Sequence, residues 1–317
     1  MLSCVSDSRE KPVIAVVGPT ASGKSELGIN LALELNGEIV NCDSVQVYQD
    51  IQIATAKVPL GERRGVPHHL IDFVPTNVNY TAGDWARAAA EKIEEIESRD
   101  RVPLLVGGTG LYLRALRKPF FTTAQTDELL RRRLNRIREK RGPEHLHRLL
   151  QRLDPESARE LFPRDWPRLQ RAIEVYCQTG VRMSQQKYIR PEPHESSRRI
   201  RILALNPPRE ELYQRINERT EAHFAAGLVE EVKRLLAQGV PASSNALGAH
   251  GYRRVVEYLL GKRDLESAVA QTKLDVRHYA KRQITWFRHE PDVEWFEGYG
   301  DQKAVLRAIL QRLAAES

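Results

Sequence analysis

One segment, Gly18-Pro19-Thr20-Ala21-Ser22-Gly23-Lys24-Ser25, narrows the folds open to this chain more than any other. It fits the phosphate-loop pattern G-x4-G-K-[ST], and its flanks are those the pattern needs. Residues 12–18 (PVIAVVG) ahead of it form a continuous apolar run, the mark of a strand buried on both faces of a parallel sheet. Residues 24–35 behind it carry Leu27, Leu31 and Leu35 at four-residue spacing, which predicts a helix. A strand, a glycine-rich turn and a helix in that order make an anion cradle. The glycines let backbone N–H groups converge, and the helix N-terminus adds a favourable field. Lys24 adds a mobile positive charge, and Ser25 supplies a hydroxyl suited to Mg2+ held by phosphates. Residues 18–25 together are therefore expected to bind a diphosphate or triphosphate.

The rest of the chain extends the same architecture. Residues 38–42 (EIVNC) read as a second strand, 84–98 as a helix, 102–106 (VPLLV) as a third buried strand, and 199–205 (RIRILAL) as another. Strand–helix–strand order predicts an α/β fold, a P-loop NTPase-like parallel sheet flanked by helices. Residues 122–190 differ in character. They are Arg-rich and helical, interrupted by Gly142-Pro143, Pro155, Pro163 and Pro167, and read as an all-helical insertion domain. The expected organisation is a disordered tail at 1–11, a core from 12–121 and 191–317, and the insertion at 122–190. Everything after the strand at 199–205 is expected to be helical through Ser317.

Composition removes several classes. No run approaches the ~18 apolar residues of a membrane helix, and residues 1–11 lack an apolar signal region. Cys4, Cys42 and Cys177 show no CxxC spacing, so a reducing, cytoplasmic setting is expected rather than a disulfide framework. Adjacent His68 and His69 on a strand would face opposite ways and would not share a metal ion. The chain carries 49 basic and 42 acidic residues, a net +7. The excess is concentrated: residues 127–171 hold 13 Arg and Lys against 8 Asp and Glu, and residues 271–290 hold 5 against 2. Two basic patches on a near-neutral chain point to a polyanion partner, with a solvated helical face as the plain alternative. No self-complementary apolar surface is evident, so a monomer is expected.

A P-loop alone favours an NTPase or kinase. Such proteins usually end a later strand in an Asp that helps hold Mg2+. Here residues 102–106 run instead into Gly107-Gly108-Thr109-Gly110, and the acid follows the second strand, at Asp43. Strand ends border the ligand crevice, so Asp43 would stand beside the bound phosphates as a base. An Asx turn at Asp43-Ser44 is the structural alternative.

Taken together the motifs resemble the tRNA dimethylallyltransferase family, bacterial type. The resemblance runs through GPTASGKS, Asp43-Ser44-Val45-Gln46-Val47-Tyr48, Thr55-Ala56-Lys57 and Pro67-His68-His69-Leu70-Ile71-Asp72. It continues through Leu105-Val106-Gly107-Gly108-Thr109-Gly110-Leu111-Tyr112, Gln170-Arg171-Ala172-Ile173-Glu174-Val175, Gly251-Tyr252-Arg253 and Lys281-Arg282-Gln283-Ile284-Thr285-Trp286-Phe287-Arg288. The P-loop is shared widely; the DSxQVY, GGTGLY and KRQxTW set is specific.

The resemblance implies transfer of a dimethylallyl group from dimethylallyl diphosphate, with Mg2+, to N6 of the adenosine just 3′ of the anticodon. Asp43 matches the general base, Thr20 a hydroxyl near the bridging oxygen of the leaving group, and Arg219 an arginine aimed at the diphosphate. Ser25 would meet the metal. The tRNA anticodon stem-loop is assigned to Asp43, Ser44, Val45, Gln46, Thr109, Arg131, Arg168, Leu169, Gln170, Arg171, Gly251, Tyr252, Arg253, Lys281, Arg282, Gln283, Trp286 and Arg288. The rings of Trp286 and Phe287 are read as core packing in preference to base stacking. Ala54, Val58 and the pair Ala249-His250 depart from the family pattern without removing a group the chemistry needs. The C-terminal zinc module of eukaryotic members is not expected, since no Cys or His cluster follows His289. Two rival readings stand beside this one: a P-loop kinase of a small molecule or nucleoside, and a non-enzymatic RNA-binding module.

Overall fold

The computed structural model describes residues 12–119, 127–186, 188 and 192–315. The tail expected at residues 1–11 lies outside them. The chain divides into two compact units, one from the described residues of Met1–Arg117 and Pro193–Ser317, the other from those of Lys118–Glu192.

The larger unit is built on a six-stranded sheet, entirely parallel. Its strands are β1 (Val13–Val17), β2 (Gly37–Asn41), β3 (His68–His69), β4 (Val102–Val106), β5 (Ile200–Asn206) and β6 (Val293–Glu297), in the order β3-β2-β4-β1-β5-β6. Every residue of β1 is buried, and the alternation shows why. Val13, Ala15 and Val17 join one hydrophobic layer, while Ile14 and Val16 join the opposite one. A strand sandwiched on both faces has no polar side, which accounts for its unbroken apolar sequence.

The first layer contains residues of α2 (Ala82–Ser98) and α3 (Gly110–Arg117); the second contains residues of α1 (Lys24–Glu34). The second unit holds α4 (Glu128–Arg141), α5 (Pro143–Leu153), α6 (Pro155–Glu160), α7 (Trp166–Thr179) and α8 (Met183–Gln186) around Leu134, Leu146, Leu150, Leu169 and Ile173. The larger unit continues with α9 (Arg209–Ala225), α10 (Leu228–Ala237), α11 (Tyr252–Leu259), α12 (Leu265–Arg288) and α13 (Lys303–Ala314). Residues of α10 and α11 complete the first layer, and those of α13 the second.

One expectation is corrected. The chain beyond residue 205 is not helical throughout: β6 pairs with β5 over Ile202↔Val293 to Asn206↔Glu297. Its sequence, VEWFE, is rich in β-branched and aromatic residues. A five-residue edge strand between two longer helices offers too few positions for its period to stand out.

Strand order fixes the site. The chain leaves β1, passes over the β4 position to reach β2, and later returns to the other side at β5. The reversal occurs at β1, and ligands bind beyond the carboxyl ends of strands at such a point. The P-loop follows β1, Asp43 follows β2 and the Gly107-Gly108 turn follows β4.

Candidate active site

The P-loop closes on itself before α1 begins. Gly23 sits at φ +81°, a left-handed conformation that suits glycine. Its carbonyl accepts the Leu27 N–H at 3.1 Å. Lys24 Nζ donates to the Pro19 carbonyl at 2.6 Å, which folds the side chain back over the loop. Burial pushes this ammonium down to about 8; Asp43 opposes the shift and Arg219 adds to it. The Ser22 hydroxyl is buried in the loop with no hydrogen-bond partner among the described residues. A lysine whose charge burial disfavours, in the same loop as an orphaned hydroxyl, suits an incoming anion.

Asp43 is fixed by its own turn. Its Oδ1 accepts the N–H of Val45 at 2.8 Å and that of Gln46 at 3.3 Å, and its carbonyl accepts Asn41 Nδ2 at 3.2 Å. Asn41 is buried, also donates to the Leu70 carbonyl at 2.9 Å, and offers its own carbonyl to Trp85 Nε1 at 2.8 Å. The Asx turn is therefore present. It occupies Oδ1 and leaves Oδ2 without a hydrogen bond among the described residues.

Two cavities meet at this carboxylate. The first, about 170 Å³, is floored by the P-loop and walled by Ile39, Val58, His68 and Ile71. The second, about 200 Å³, is lined by Val45, His223, Phe224, Leu228, Val276 and Tyr279. Thr20, Asp43 and Arg219 line both. The Arg219 guanidinium donates to the Thr20 hydroxyl. Burial lowers the Arg219 pKa and Asp43 opposes that, so the two face each other electrostatically. The three residues assigned catalytic roles by resemblance are thus brought together on one wall.

Long-range contacts hold this wall. Gln283, on α12, accepts the Thr20 N–H at 2.8 Å and donates to the Gly108 carbonyl at 3.0 Å. A Cβ on Gly108 would lie 2.0 Å from Gln283 Nε2, and one on Gly110 would lie 2.1 Å from the Trp286 ring. The glycines of the GGTG turn are thus needed for close approach of α12. Thr109 Oγ1 accepts the Ser44 N–H at 3.0 Å, joining that turn to the start of the Asp43 loop. Lys57 donates to the carbonyls of Tyr48 and Ile51, both at 2.6 Å, and is paired with Asp72.

A family model described as IPP transferase matches residues 46–290. The chain belongs to the IPP transferase family. It is 44% identical to a tRNA dimethylallyltransferase of Solibacter usitatus over 96% of this chain and 98% of that one. The fold matches a full-length tRNA isopentenylpyrophosphate transferase of Bacillus halodurans at TM-score 0.70 and 34% identity, covering 97% and 98% of the two chains. It also matches a eukaryotic dimethylallyltransferase solved acting on tRNA, at TM-score 0.78 and 30% identity, covering 97% of this chain and 80% of that one.

In this family member the residues assigned to tRNA fall into separate groups. Arg253, Lys281, Arg282 and Arg288 are exposed, and Ser44, Val45, Gln46, Thr109 and Gly251 stand at or near the cavities. Others point inward. Gln283 is buried and spends its carboxamide on Thr20 and Gly108. Tyr252 is fully buried, its hydroxyl on Glu231 at 2.6 Å. Trp286 packs on Gly110 with Arg114 stacked 4.0 Å from its ring centre, as the core reading expected.

In the second unit Leu169 is wholly buried. Arg131 and Arg171 are paired at 3.1 and 2.7 Å with Glu174, whose side chain has no exposure. Gln170 donates to the Arg131 carbonyl at 3.4 Å, and the exposed Arg168 pairs with Asp165 at 3.4 Å. A residue's place in a stretch assigned to RNA does not decide which way its helical side chain points: Leu169 faces inward, Arg131, Gln170 and Arg171 are half-buried, and Arg168 is exposed. Glu231 and His223 were not anticipated; neither sits in a local pattern that distinguishes it.

His68 lines the first cavity, while His69 pairs with Glu38 at 2.6 Å, the opposed facing expected of neighbours on a strand. Among the described residues no group of three His, Cys, Asp or Glu is placed to hold a metal ion. Ser25 lines the phosphate cavity near the orphaned Ser22 hydroxyl. This donor set fits Mg2+, which is commonly held by few protein oxygens together with substrate phosphates and water.

Proposed function

We propose that the chain is a tRNA dimethylallyltransferase that joins the five-carbon allyl group of dimethylallyl diphosphate to N6 of the adenosine just 3′ of the anticodon, releasing diphosphate. The observation that carries this reading is the shared wall of Thr20, Asp43 and Arg219 between a phosphate-binding cavity and a second, more apolar one. In a kinase an acid that helps hold the metal usually ends a later strand, whereas β4 here ends in glycines.

The chemistry follows from the groups present. An adenine amino nitrogen is a weak nucleophile because its lone pair is delocalised, so the allyl carbon must be made electrophilic. P-loop N–H groups, Lys24 and Arg219 would bind the diphosphate and stabilise the negative charge that develops as the C–O bond breaks. The Thr20 hydroxyl, held by Arg219, would donate toward the bridging oxygen. Mg2+, held by Ser25 and the phosphates, would supply further charge neutralisation when bound. The second cavity would receive the base, which must leave its stack to reach it; a single-stranded loop lowers that cost. As N6 bonds to carbon its proton becomes acidic, and the free oxygen of Asp43 would take it. Such a base is worth roughly 10²–10⁴-fold. The exposed Arg253, Lys281, Arg282 and Arg288 would contact RNA phosphates.

The test is incubation of the protein with Mg2+, unmodified tRNA and labelled dimethylallyl diphosphate, then nucleoside mass analysis. Label on the adenosine 3′ of the anticodon is expected. ATP turnover that ignores RNA, with no transfer, refutes the proposal and favours the kinase.

A further inference from the structure

Tyr252 and Glu231 line neither cavity, yet their side chains organise a segment that lines both. Three consecutive backbone N–H groups end on this pair. Glu231 accepts from Gln52 at 3.1 Å and Ile53 at 3.4 Å, and the Tyr252 hydroxyl accepts from Ala54 at 3.2 Å while donating to Glu231 at 2.6 Å. The next two residues turn the other way. The carbonyls of Thr55 and Ala56 accept Gln46 Nε2 at 3.1 and 3.5 Å, and the Gln46 N–H binds Asp43 Oδ1. Ala56 sits at φ +54°, which an L-residue adopts only when its surroundings hold it there. We infer that Tyr252 and Glu231 are positioning residues for the transfer step, acting on the Asp43 turn through residues 52–56 and Gln46. The inference rests on the transferase reading above.

Several features distinguish this pair from ordinary core. Glu231 is a carboxylate held almost out of water with no cation bonded to it among the described residues, its oxygens taken up by N–H and O–H donors. An apolar pair of similar size would fill the space more cheaply but could not fix three N–H groups in direction. Burial, then the Glu231 carboxylate, push the Tyr252 phenol well above its usual range, so it stays a donor at any working pH. The target of this ordering is a carboxylate with one oxygen engaged and one left for a proton. Small errors in the aim of such a group cost rate steeply.

The experiment is a double-mutant cycle on the full chain with tRNA and dimethylallyl diphosphate. Asp43→Asn keeps an oxygen to accept from Val45 and Gln46 but removes the base. Tyr252→Phe in the wild-type background is expected to lower kcat about 10- to 100-fold with the Kd for tRNA unchanged. In the Asp43→Asn background the same substitution is expected to change kcat by less than about twofold, because the two act as a unit. Glu231→Gln, which keeps the shape, is expected to give a smaller loss that also vanishes beside Asp43→Asn, and it serves if Tyr252→Phe does not fold. Equal losses in both backgrounds overturn the inference, as does weakened tRNA binding with kcat intact, which would make Tyr252 a direct RNA contact. Wild-type transfer is the control. Its absence refutes the transferase reading, whereas its presence with a fully active Tyr252→Phe refutes only the positioning role.

Discussion

Replacing Gln283 with leucine tests whether α12 serves the phosphate loop or the RNA. The substitution keeps the volume but removes an acceptor from the Thr20 N–H and a donor from the Gly108 carbonyl. Each unsatisfied buried backbone group costs about 1–3 kcal/mol. Gly108 is buried but Thr20 is half-exposed, so water can repair the second loss. The net cost is therefore roughly 1–3 kcal/mol rather than twice that. For a unit of this size that lowers Tm by ~2–12 °C. The functional effect should be larger than the stability effect, because Thr20 is the residue that Arg219 also holds. A loop no longer pinned at Thr20 is expected to raise the KM for dimethylallyl diphosphate and to lower kcat by about 10- to 100-fold. The assay is steady-state transfer with each substrate varied in turn, with filter binding of tRNA measured separately. If tRNA affinity collapses while diphosphate handling is untouched, Gln283 reads RNA and the clamp argument is wrong.

Other outcomes follow from the same geometry. Lys24 loses its proton as pH rises through about 8, and a bound diphosphate favours the charged form, so affinity for inorganic diphosphate should weaken above that pH. Calorimetry should show the advantage of wild type over Lys24→Met shrinking between pH 8 and 10; a constant ratio refutes the assignment. Gly110→Ala drives a methyl into the Trp286 ring and should cost about 1–3 kcal/mol and shift tryptophan emission, detectable by fluorescence during thermal unfolding. Burial alone would raise the Glu174 carboxyl, but Arg171 and Arg131 hold it below the usual range. Its contribution is thus present at neutral pH and lost as pH falls through that range. Protection factors for amides of α4 and α7, taken relative to intrinsic exchange at each pH, should fall below the ordinary glutamate pKa, and Glu174→Gln should show the lower protection already at pH 7.

What the sequence revealed is what local pattern can carry. The P-loop, the apolar strands β1 and β4 and the leucine spacing of α1 are contiguous signals, and each lies where it was expected. Asp43 was open between a base and an Asx turn, and its two oxygens allow both. What was hidden depends on residues far apart in the chain. Gln283 sits 263 residues from Thr20, and Glu231 sits 179 from Gln52. Glu231 is assigned no role and Gln283 is assigned to RNA by resemblance, because neither position's neighbours in sequence disclose the distant groups it binds. Nor does a basic, helical stretch disclose which of its charges, here Arg131 and Arg171, neutralise a buried acid such as Glu174, or that Leu169 is buried among them.

The structure also bears on how a phosphate loop comes to serve carbon chemistry. In phosphoryl transfer the reacting atom is a phosphorus already in the loop, so catalytic groups gather around the terminal phosphate. In allyl transfer the reacting carbon lies beyond the last bridging oxygen, and the loop needs only to hold the leaving group. A base placed at the metal-binding strand end would then serve no purpose, whereas one at the far rim of the cavity would face the nucleophile. Asp43 occupies such a rim: it follows β2, one strand removed from the P-loop strand across β4, and lines both cavities. The glycines that end β4 allow this arrangement. With no side chain there, α12 approaches closely enough for Gln283 to tie the loop to the turn. A side chain introduced at Gly108 would collide with Gln283, so the glycines of this turn and the Gln283 clamp are parts of one solution.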